Sequence, residues 1–191
     1  GIVSGLKSSK EGINIFLSGY LKEENVRFRE KAIKFEHMPT LDIGKAVTLC
    51  SWEKIEKKLG NFMVKAPTGK LYKGEVVGVL GENGIGKTTF VKMLAGLIEP
   101  DKGTITSTSI KVSYKPQYLE TESEELVVSF LNTAIQKYSR QLIDPLNIKV
   151  LLTKQLNQLS GGELQRVSIA KALSQDAELF LLDEPSAYLD V

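Results

Sequence analysis

The nine residues GENGIGKTT, at positions 81–89, constrain the fold of this chain more than any other stretch. They satisfy the pattern G-x-x-x-x-G-K-[ST], follow the apolar run EVVGVL at 75–80, and precede Phe90, Met93 and Leu97 at helical spacing. Glycines in such a loop let successive N–H groups turn toward one point, and the start of the following helix adds unpaired donors and a dipole. The stretch therefore predicts a phosphate-binding loop between a strand and a helix of an α/β domain.

The last residues of this loop have side chains that suit the phosphates of a nucleoside triphosphate. Lys87 would supply a mobile positive charge to the terminal phosphates, and Thr88 would supply a hydroxyl to Mg²⁺. We therefore predict the phosphates of a nucleotide and Mg²⁺ as ligands, with a catalytic role for Lys87. The predicted contacts of the loop with the nucleotide are Gly81, Glu82, Asn83, Gly84, Ile85, Gly86, Lys87, Thr88 and Thr89.

A second signal is a pair of acids near the end of the chain. The apolar run 179–182 leads directly into Asp183 and Glu184. A carboxylate at the C-terminal end of a parallel strand faces the crevice where ligands bind in open α/β sheets. We predict that Asp183 holds Mg²⁺ and that Glu184 orients and polarises the attacking water. Two acids alone would usually mark a strand end that meets solvent, but a phosphate loop in the same chain favours the catalytic interpretation.

The sequence LSGGELQRV, at 159–167, first resembles the start of a helix. Ser160 and Glu163 form a capping box, which is a sufficient structural reason for both residues. The box does not explain Gly161 and Gly162, because glycine destabilises the first turn of a helix. Two glycines there permit a close approach to the backbone, so this helix start predicts a second phosphate-binding surface.

Composition limits the class of protein. The chain is 42% hydrophobic and 25% charged, which argues against disorder, and its uncharged apolar stretches are too short to span a membrane. The single cysteine, Cys50, excludes a disulfide framework and a cysteine-based metal cluster within the chain. A net charge of +2 is too small to indicate nucleic-acid binding. The N-terminus lacks the apolar core of a signal peptide, which predicts a cytoplasmic protein.

The remaining elements complete an α/β pattern. We predict strands at 46–52 and 61–67, short strands in TITST and KVSYK, and a mostly helical stretch over 124–174. Residues 1–38 differ, since they are polar with scattered aromatic residues and several basic ones. A solvated connecting segment and a binding surface are both compatible with them. The basic residues are Arg27, Arg29, Lys31 and Lys34.

The order of these motifs resembles that of ATP-binding-cassette (ABC) ATPase domains: GENGIGKTT, Gln117 in YKPQ, LSGGE, LLDE and SAYLD. The resemblance implies a RecA-like parallel-sheet core, an antiparallel β subdomain and a helical signature subdomain. It implies that Ser160, Gly161, Gly162 and Glu163 form a signature surface, where Ser160 and Gly162 contact the γ-phosphate held by an opposing cassette arranged head to tail. It also implies that Gln117 contributes to the metal site and to catalysis, and couples that site to the helical insertion.

A closer resemblance is to the RNase L inhibitor family, the ribosome-recycling ATPases, carried by NGIGKTTFVKMLAG, LSGGELQRV, DEPSAYLD and GINIFLSGYLKEENVRFR. It implies that residues 1–38 are the tail of a preceding cassette and a hinge, and that 39–191 are an incomplete second cassette ending at the D-loop. The implied partners are a second cassette, ribosomal subunits and release factors, with no membrane. Glu82 departs from the proline expected at its position, which presents backbone more than side chain.

Several alternatives remain open from the sequence. The chain could be the ATPase subunit of an ABC membrane transporter, or a non-catalytic nucleotide-binding fragment. The family pattern continues beyond the D-loop with a histidine that contacts the γ-phosphate, and none follows Asp183 here, so we expect weak Mg-ATP binding and very slow turnover. The family's further strands and helices are also absent, so we expect exposed apolar surface at one edge of the sheet. For the adenine contact, Trp52 stands where the family places an aromatic residue, although it could equally be a core residue, and Phe62 is the alternative platform.

Overall fold

A computed structural model of the chain describes residues 5–34, 46–107, 110–117 and 122–189. The chain divides into two compact units, Gly1–Asp42 and Ile43–Val191. The domain boundary predicted between residues 38 and 39 lies outside the described residues, so it stays a prediction.

The first unit contains a helix and a short hairpin. Helix α1 (Ser9–Ser18) begins after Ser8, whose side chain accepts a hydrogen bond from the Glu11 amide, and ends at Gly19 with a φ of +68°. The hairpin pairs β1 (Tyr20–Leu21) with β2 (Val26–Arg27) in antiparallel register. This part of the chain is therefore more regular than a solvated connecting segment requires.

Two arginines of this unit are engaged by its own aromatic residues. The Arg29 guanidinium lies 4.6 Å from the ring centroid of Phe16 and donates a 2.8 Å hydrogen bond to the Phe16 carbonyl. The Arg27 guanidinium lies 5.5 Å from the ring centroid of Tyr20. Such cation–π contacts hold the arginine side chains in place. Lys31 is exposed, as is Arg27, whereas Arg29 is partly buried.

An antiparallel sheet forms one part of the second unit. Its central strand β3 (Thr48–Leu59) pairs with β4 (Phe62–Ala66), β5 (Gly69–Tyr72) and β6 (Lys102–Ser107). The turn between β3 and β4 is short because Gly60 adopts a φ of +59°, a conformation that favours glycine. The predicted strands at 46–52 and 61–67 are therefore confirmed, and β3 is longer than predicted.

A parallel pair of strands leads directly to Gln117 and to the two acids, Asp183 and Glu184. Strand β7 (Val112–Lys115) pairs with β8 (Leu179–Leu182), with Lys115 opposite Leu182. Helix α2 (Lys87–Leu94) contributes Val91 and Leu94 to a core that includes residues of both sheets. The other members of this core are Cys50 and Leu181, with Trp52, Leu71, Phe90, Ala95, Ile105, Ile110, Val112, Tyr114 and Leu179 packed against them.

The segment between β7 and β8 is helical and has a separate core. It contains α3 (Val127–Phe130), α4 (Asn132–Tyr138), a π-helical turn at Ser139–Ile143 and the long helix α5 (Gly161–Leu173). Two 3₁₀ turns lie between these elements, at Lys149–Leu151 and Leu156–Gln158. The interior residues of this core are Val127, Leu131, Ala134, Ile143, Ile148, Leu151, Leu156, Leu164, Val167 and Ala170. This arrangement confirms the predicted helical insertion.

The strand predicted at 75–80 is wrong for the described structure. These residues have no strand conformation, and Val76 and Leu80 are 98% and 95% exposed. A strand requires a neighbour that accepts and donates its backbone hydrogen bonds, and none of the described strands pairs with this segment. This segment exposes apolar side chains, whereas the exposed apolar edge of the sheet stays a prediction.

Candidate nucleotide-binding site

The predicted phosphate loop folds around its own lysine. The Lys87 ammonium donates hydrogen bonds of 2.7 Å to the carbonyls of Gly81 and Glu82. Helix α2 begins at Lys87, and its N-cap residue, Gly86, provides no side-chain hydrogen bond to the helix. The first N–H groups of α2 are therefore left for an external acceptor, as an anion site at a helix N-terminus requires.

The glycines of this loop occupy their positions for different structural reasons. Gly84 and Gly86 have φ values of +82° and +101°, which side chains rarely tolerate. A Cβ on Gly86 would also lie 2.6 Å from the Cγ2 atom of Val64. Gly81 does not adopt a positive φ. Of the three loop glycines, only Gly84 and Gly86 therefore adopt a backbone conformation that favours glycine.

The loop meets the first of the two acids through a hydroxyl. Thr88 Oγ1 donates to Asp183 Oδ1 at 3.1 Å, although the two residues are 95 positions apart in the sequence. Asp183 is 5% exposed, and Tyr114 donates a 3.4 Å hydrogen bond to its other oxygen. Burial, together with the neighbouring Asp183 carboxylate, raises the pKa of Tyr114 and keeps this phenol in its donor form.

This pair of oxygen atoms fits a magnesium ion bound together with a nucleotide. Mg²⁺ prefers hard oxygen ligands and usually takes one or two from protein, with the rest from phosphate and water. Within the described ranges no three His, Cys, Asp or Glu side chains come together as a metal site. The Thr88 hydroxyl and the Asp183 carboxylate therefore suit a site completed by phosphate oxygens, and not an all-protein metal cage.

The second acid meets the glutamine predicted from the YKPQ sequence. Gln117 Nε2 donates to Glu184 Oε2 at 2.8 Å. Glu184 has a φ of +46°, which is rare for a residue with a side chain. The structure thus brings Gln117 and Glu184 together at the ends of β7 and β8, next to the contact between Thr88 and Asp183.

Two buried residues beside these acids are not among the site residues predicted from the sequence. The Lys115 ammonium donates to the carbonyls of Pro116 at 2.9 Å and Asp183 at 3.1 Å, and the Gln165 amide donates to the Glu184 carbonyl at 2.8 Å. Burial lowers the pKa of Lys115, an effect that the negative charges of Asp183 and Glu184 oppose. The available signal was the alternation of β7, which places Lys115 on the buried face beside Ser113.

The predicted capping box is present at the start of α5. Glu163 N donates to Ser160 Oγ at 3.4 Å, and Ser160 N donates to Glu163 Oε2 at 2.8 Å. Lys154 forms a 2.9 Å ion pair with Glu163. The Lys154 hydrogen bond and the Ser160 backbone lower the pKa of Glu163 to about 2. Glu163 is therefore ionised at neutral pH and used within the helix start, which supports its capping role.

The two glycines of α5 are approached by another part of the same chain. A Cβ on Gly162 would lie 2.7 Å from the carbonyl oxygen of Tyr188, whereas a Cβ on Gly161 would lie at an ordinary 3.5 Å from the Tyr188 ring. The Tyr188 carbonyl of the same chain therefore makes one close approach of the kind predicted for this glycine pair. Ser160 caps the helix beside it, and a phosphate contact there stays a prediction.

The two candidate adenine platforms differ in their surroundings. The Trp52 indole packs edge-on against Phe90 at 5.3 Å between ring centroids, and its N–H donates to the Pro67 carbonyl at 2.7 Å. Phe62 is 41% exposed, and its ring lies 3.4 Å from the position of a Cβ on Gly86. Trp52 therefore has the contacts of a core residue, and Phe62 has the open face beside the phosphate loop that a stacked base would need.

None of the helices in the described ranges combines the length and the apolar character that crossing a membrane would require.

Comparisons with known proteins agree with the motif order. The ABC transporter family matches residues 64–187. An uncharacterised ABC transporter ATP-binding protein of Methanocaldococcus jannaschii is 50% identical over 196 residues, which cover 100% of this chain and 33% of that protein. A solved RNase-L inhibitor is 47% identical with a TM-score of 0.80, and the match covers 97% of this chain and 37% of that one.

A further solved structure adds a functional context. The archaeal ribosome recycling factor aABCE1, in complex with the archaeal ribosomal stalk protein aP1, is 46% identical with a TM-score of 0.82. The match covers 98% of this chain and 37% of that chain. The present chain spans about a third of the length of the curated relatives it matches, at 33% of one and 32% of another.

The resemblances inferred from the motifs, and the predicted α/β class, are therefore confirmed. The chain belongs to the ABC family of ATPases, whose general activity is ATP hydrolysis, and it is similar over its whole length to RNase L inhibitor proteins.

Proposed function

We propose that this chain binds Mg-ATP at the phosphate loop and hydrolyses it with Glu184 as the group that orients and polarises water. The observation that carries the proposal is the pair of contacts that join the loop to the two acids. Thr88 meets Asp183 at 3.1 Å, and Gln117 meets Glu184 at 2.8 Å. A pair suited to binding a metal and a pair suited to orienting water lie side by side, which supports phosphoryl transfer as the chemistry of this site.

Each residue of the site has a distinct role in this proposal. Lys87, whose ammonium donates to the carbonyls of Gly81 and Glu82, would direct its positive charge to the β- and γ-phosphates, where charge develops during transfer. The Thr88 hydroxyl and the Asp183 carboxylate would hold magnesium, which would neutralise phosphate charge when bound with the nucleotide. Gln117 holds the Glu184 carboxylate through its amide N–H and would offer its amide oxygen to the metal. This side chain would thereby connect the metal site with the residue that polarises water.

We also propose a second cassette as partner. The start of α5, with the Ser160 hydroxyl and the two glycines, would contact the γ-phosphate of an ATP held by that cassette in a head-to-tail arrangement. The capping box supports this proposal because it orders the helix start before any ligand arrives. The proposed organisation of the chain is a hinge with the tail of a preceding cassette at 1–38, followed by an ABC cassette at 39–191.

The biological role that we propose is ribosome recycling in the cytoplasm, in which closure of paired cassettes separates the ribosomal subunits. Support comes from the similarity to the recycling factor aABCE1, whose solved complex contains a ribosomal stalk protein. Binding to ribosomal subunits and to release factors is part of this proposal. The exposed lysines 31 and 34 of the first unit suit contact with RNA phosphates.

The ATPase assignment is tested by steady-state turnover of Mg-ATP with Glu184→Gln. We expect turnover to fall by about 100-fold or more, because the amide cannot polarise water, while ATP affinity changes less than threefold. The matched control is Glu178→Gln, an exposed acid at the foot of the same strand, which should leave turnover unchanged. Equal turnover in the wild type and Glu184→Gln would contradict the proposed role.

The ribosomal role is tested by co-sedimentation of the chain with ribosomal subunits in the presence of Mg-ATP. Lys31→Glu with Lys34→Glu should reduce binding, and the wild-type interaction should weaken as salt rises. These lysines are preferable to Arg27 and Arg29, which contact aromatic residues of their own unit. Extraction with a membrane complex, and no ribosomal binding, would favour the transporter alternative.

A further inference from the structure

The catalytic candidate Glu184 has an unusual backbone. Its φ of +46° lies in the left-handed region, where a Cβ approaches the following carbonyl oxygen. Pro185 follows it, and a residue before proline is also disfavoured in the right-handed helical region. A conformation of this kind persists only where the surroundings hold it, and the surroundings here include two specific hydrogen bonds.

Both peptide carbonyls that flank the Glu184 φ and ψ angles accept a hydrogen bond from a buried side chain. Lys115 Nζ donates to the Asp183 carbonyl at 3.1 Å, and Gln165 Nε2 donates to the Glu184 carbonyl at 2.8 Å. Lys115 is 1% exposed and Gln165 is 5% exposed, so water competes little for either donor. The orientation of each peptide plane next to Glu184 is thereby held from inside the protein.

The same lysine also holds the backbone beside Gln117. Its ammonium donates to the Pro116 carbonyl at 2.9 Å, immediately before Gln117, and to the Asp183 carbonyl, immediately before Glu184. The side chains of Gln117 and Glu184 meet at 2.8 Å. One buried cation thus joins the main-chain positions from which the two interacting side chains depart.

We propose that Lys115 and Gln165 are positioning residues that clamp the main chain of Glu184, so that its carboxylate faces Gln117 and the attacking water. The inference rests on the proposed catalytic role of Glu184 and deepens it. Gln165 reaches this site from α5, and Lys115 reaches it from β7. The clamp therefore joins the signature helix and the glutamine loop to the acid that performs the chemistry.

The clamp is tested by removing each donor while the side-chain volume is kept, with Lys115→Met and Gln165→Met in the full chain. Turnover of Mg-ATP should fall by about tenfold or more in each, while the dissociation constant for Mg-ATP stays within about threefold of the wild type. A merely structural role would weaken nucleotide binding and turnover together. Matched controls are Lys111→Met and Gln175→Met, which remove exposed donors near the same elements and should change neither quantity.

Amide hydrogen exchange supplies a readout that does not depend on turnover. The Ala187 amide donates to the Glu184 carbonyl at 3.2 Å, so release of that carbonyl should accelerate exchange at Ala187 by about tenfold in Gln165→Met. Unchanged exchange at Ala187 in both clamp variants would overturn the inference. Gln165→Met changes one hydrogen bond only, and it keeps the test decisive if Lys115→Met does not fold.

The series also separates this inference from the proposed function. If Glu184→Gln retains wild-type turnover, the catalytic role of Glu184 fails, and exchange at Ala187 still decides whether the clamp exists. If Glu184→Gln is inactive while both clamp variants keep wild-type turnover, the positioning role is overturned and the proposed function stands.

Discussion

Helices α2 and α5 both begin at a glycine-rich turn, but their first N–H groups are used differently. The N-cap of α2 is Gly86, which offers the helix no side-chain acceptor. The N-cap of α5 is Ser160, whose hydroxyl accepts from Glu163 N at 3.4 Å, and the Glu163 carboxylate accepts from Ser160 N in return. One helix start is completed by its own side chains, and the other is open to an external anion.

Because of this difference, the α5 cap contributes to stability, whereas the start of α2 is available for ligand binding. The capping box gives two donors of the α5 start, Ser160 N and Glu163 N, acceptors within the chain, so this start is stabilised without ligand. The start of α2 has no side-chain cap, and the nearby Lys87 ammonium donates to loop carbonyls. A bound phosphate would accept hydrogen bonds from both, so it should stabilise this helix start. Substitutions at the start of α2 should therefore change affinity and loop geometry. Substitutions at the α5 cap should change stability, as well as the proposed contact of Ser160 with the γ-phosphate of the opposing cassette.

The largest effect should come from Gly86→Ala at the start of α2. The substitution combines a φ of +101° with a Cβ placed 2.6 Å from the Cγ2 atom of Val64, so we expect a loss of about 3 kcal/mol in unfolding free energy. Gly96→Ala is the matched control, because it has a φ of +70° but open space, and should cost about 1 kcal/mol. Urea denaturation measures both. Equal losses would show that the Val64 contact does not constrain the loop.

Lys87→Met should reduce ATP affinity by about 100-fold, since it removes the mobile cation from the phosphate site. Isothermal titration with Mg-ATP measures this change. Lys92→Met, at the other end of α2, is the control and should stay within about threefold of the wild type. Affinity that survives Lys87→Met would show that the open helix start binds phosphate without the lysine.

A smaller effect should distinguish the two glycines of α5. Alanine suits the first turn of a helix better than glycine, so Gly161→Ala should be neutral or stabilising. Gly162→Ala must displace the Tyr188 carbonyl, 2.7 Å from the new Cβ, and should be about 1–2 kcal/mol less stable than Gly161→Ala. The comparison uses urea denaturation of both variants. Equal stabilities would mean that the Tyr188 segment moves away without cost.

The smallest effect should be the pH dependence that Glu163 provides. Its pKa falls from 4.5 to about 2 in the folded chain, so its stabilisation is fully present above pH 4.5 and is lost as the pH falls toward 2. Glu163→Gln should cost about 1 kcal/mol at pH 7, and the difference from the wild type should shrink as the pH falls from 4.5 through 2. Denaturant titrations at several pH values measure this, with exposed Glu99→Gln as the control. A difference that stays constant with pH would contradict an ionic role.

The sequence predicted the features that a few consecutive residues encode. The phosphate loop, the start of α2 and the Ser160–Glu163 capping box were all predicted, because each depends on residues within one or two turns. The strand at 75–80 was predicted wrongly, since pairing depends on a neighbour that the apolar pattern does not specify. The role of Lys115 is not predictable from the sequence, because the alternation of β7 indicates that the residue is buried but not which carbonyls its ammonium reaches.

The sequence by itself therefore determined which groups are available: a glycine loop with Lys87, two acids after an apolar run, and a capped helix. Tertiary structure decided which of them meet. Thr88 contacts Asp183 across 95 positions, and Gln117 contacts Glu184 across 67, because the parallel pairing of β7 with β8 brings these strand ends together beside α2. Such contacts depend on strand register and helix packing, which no local spacing encodes.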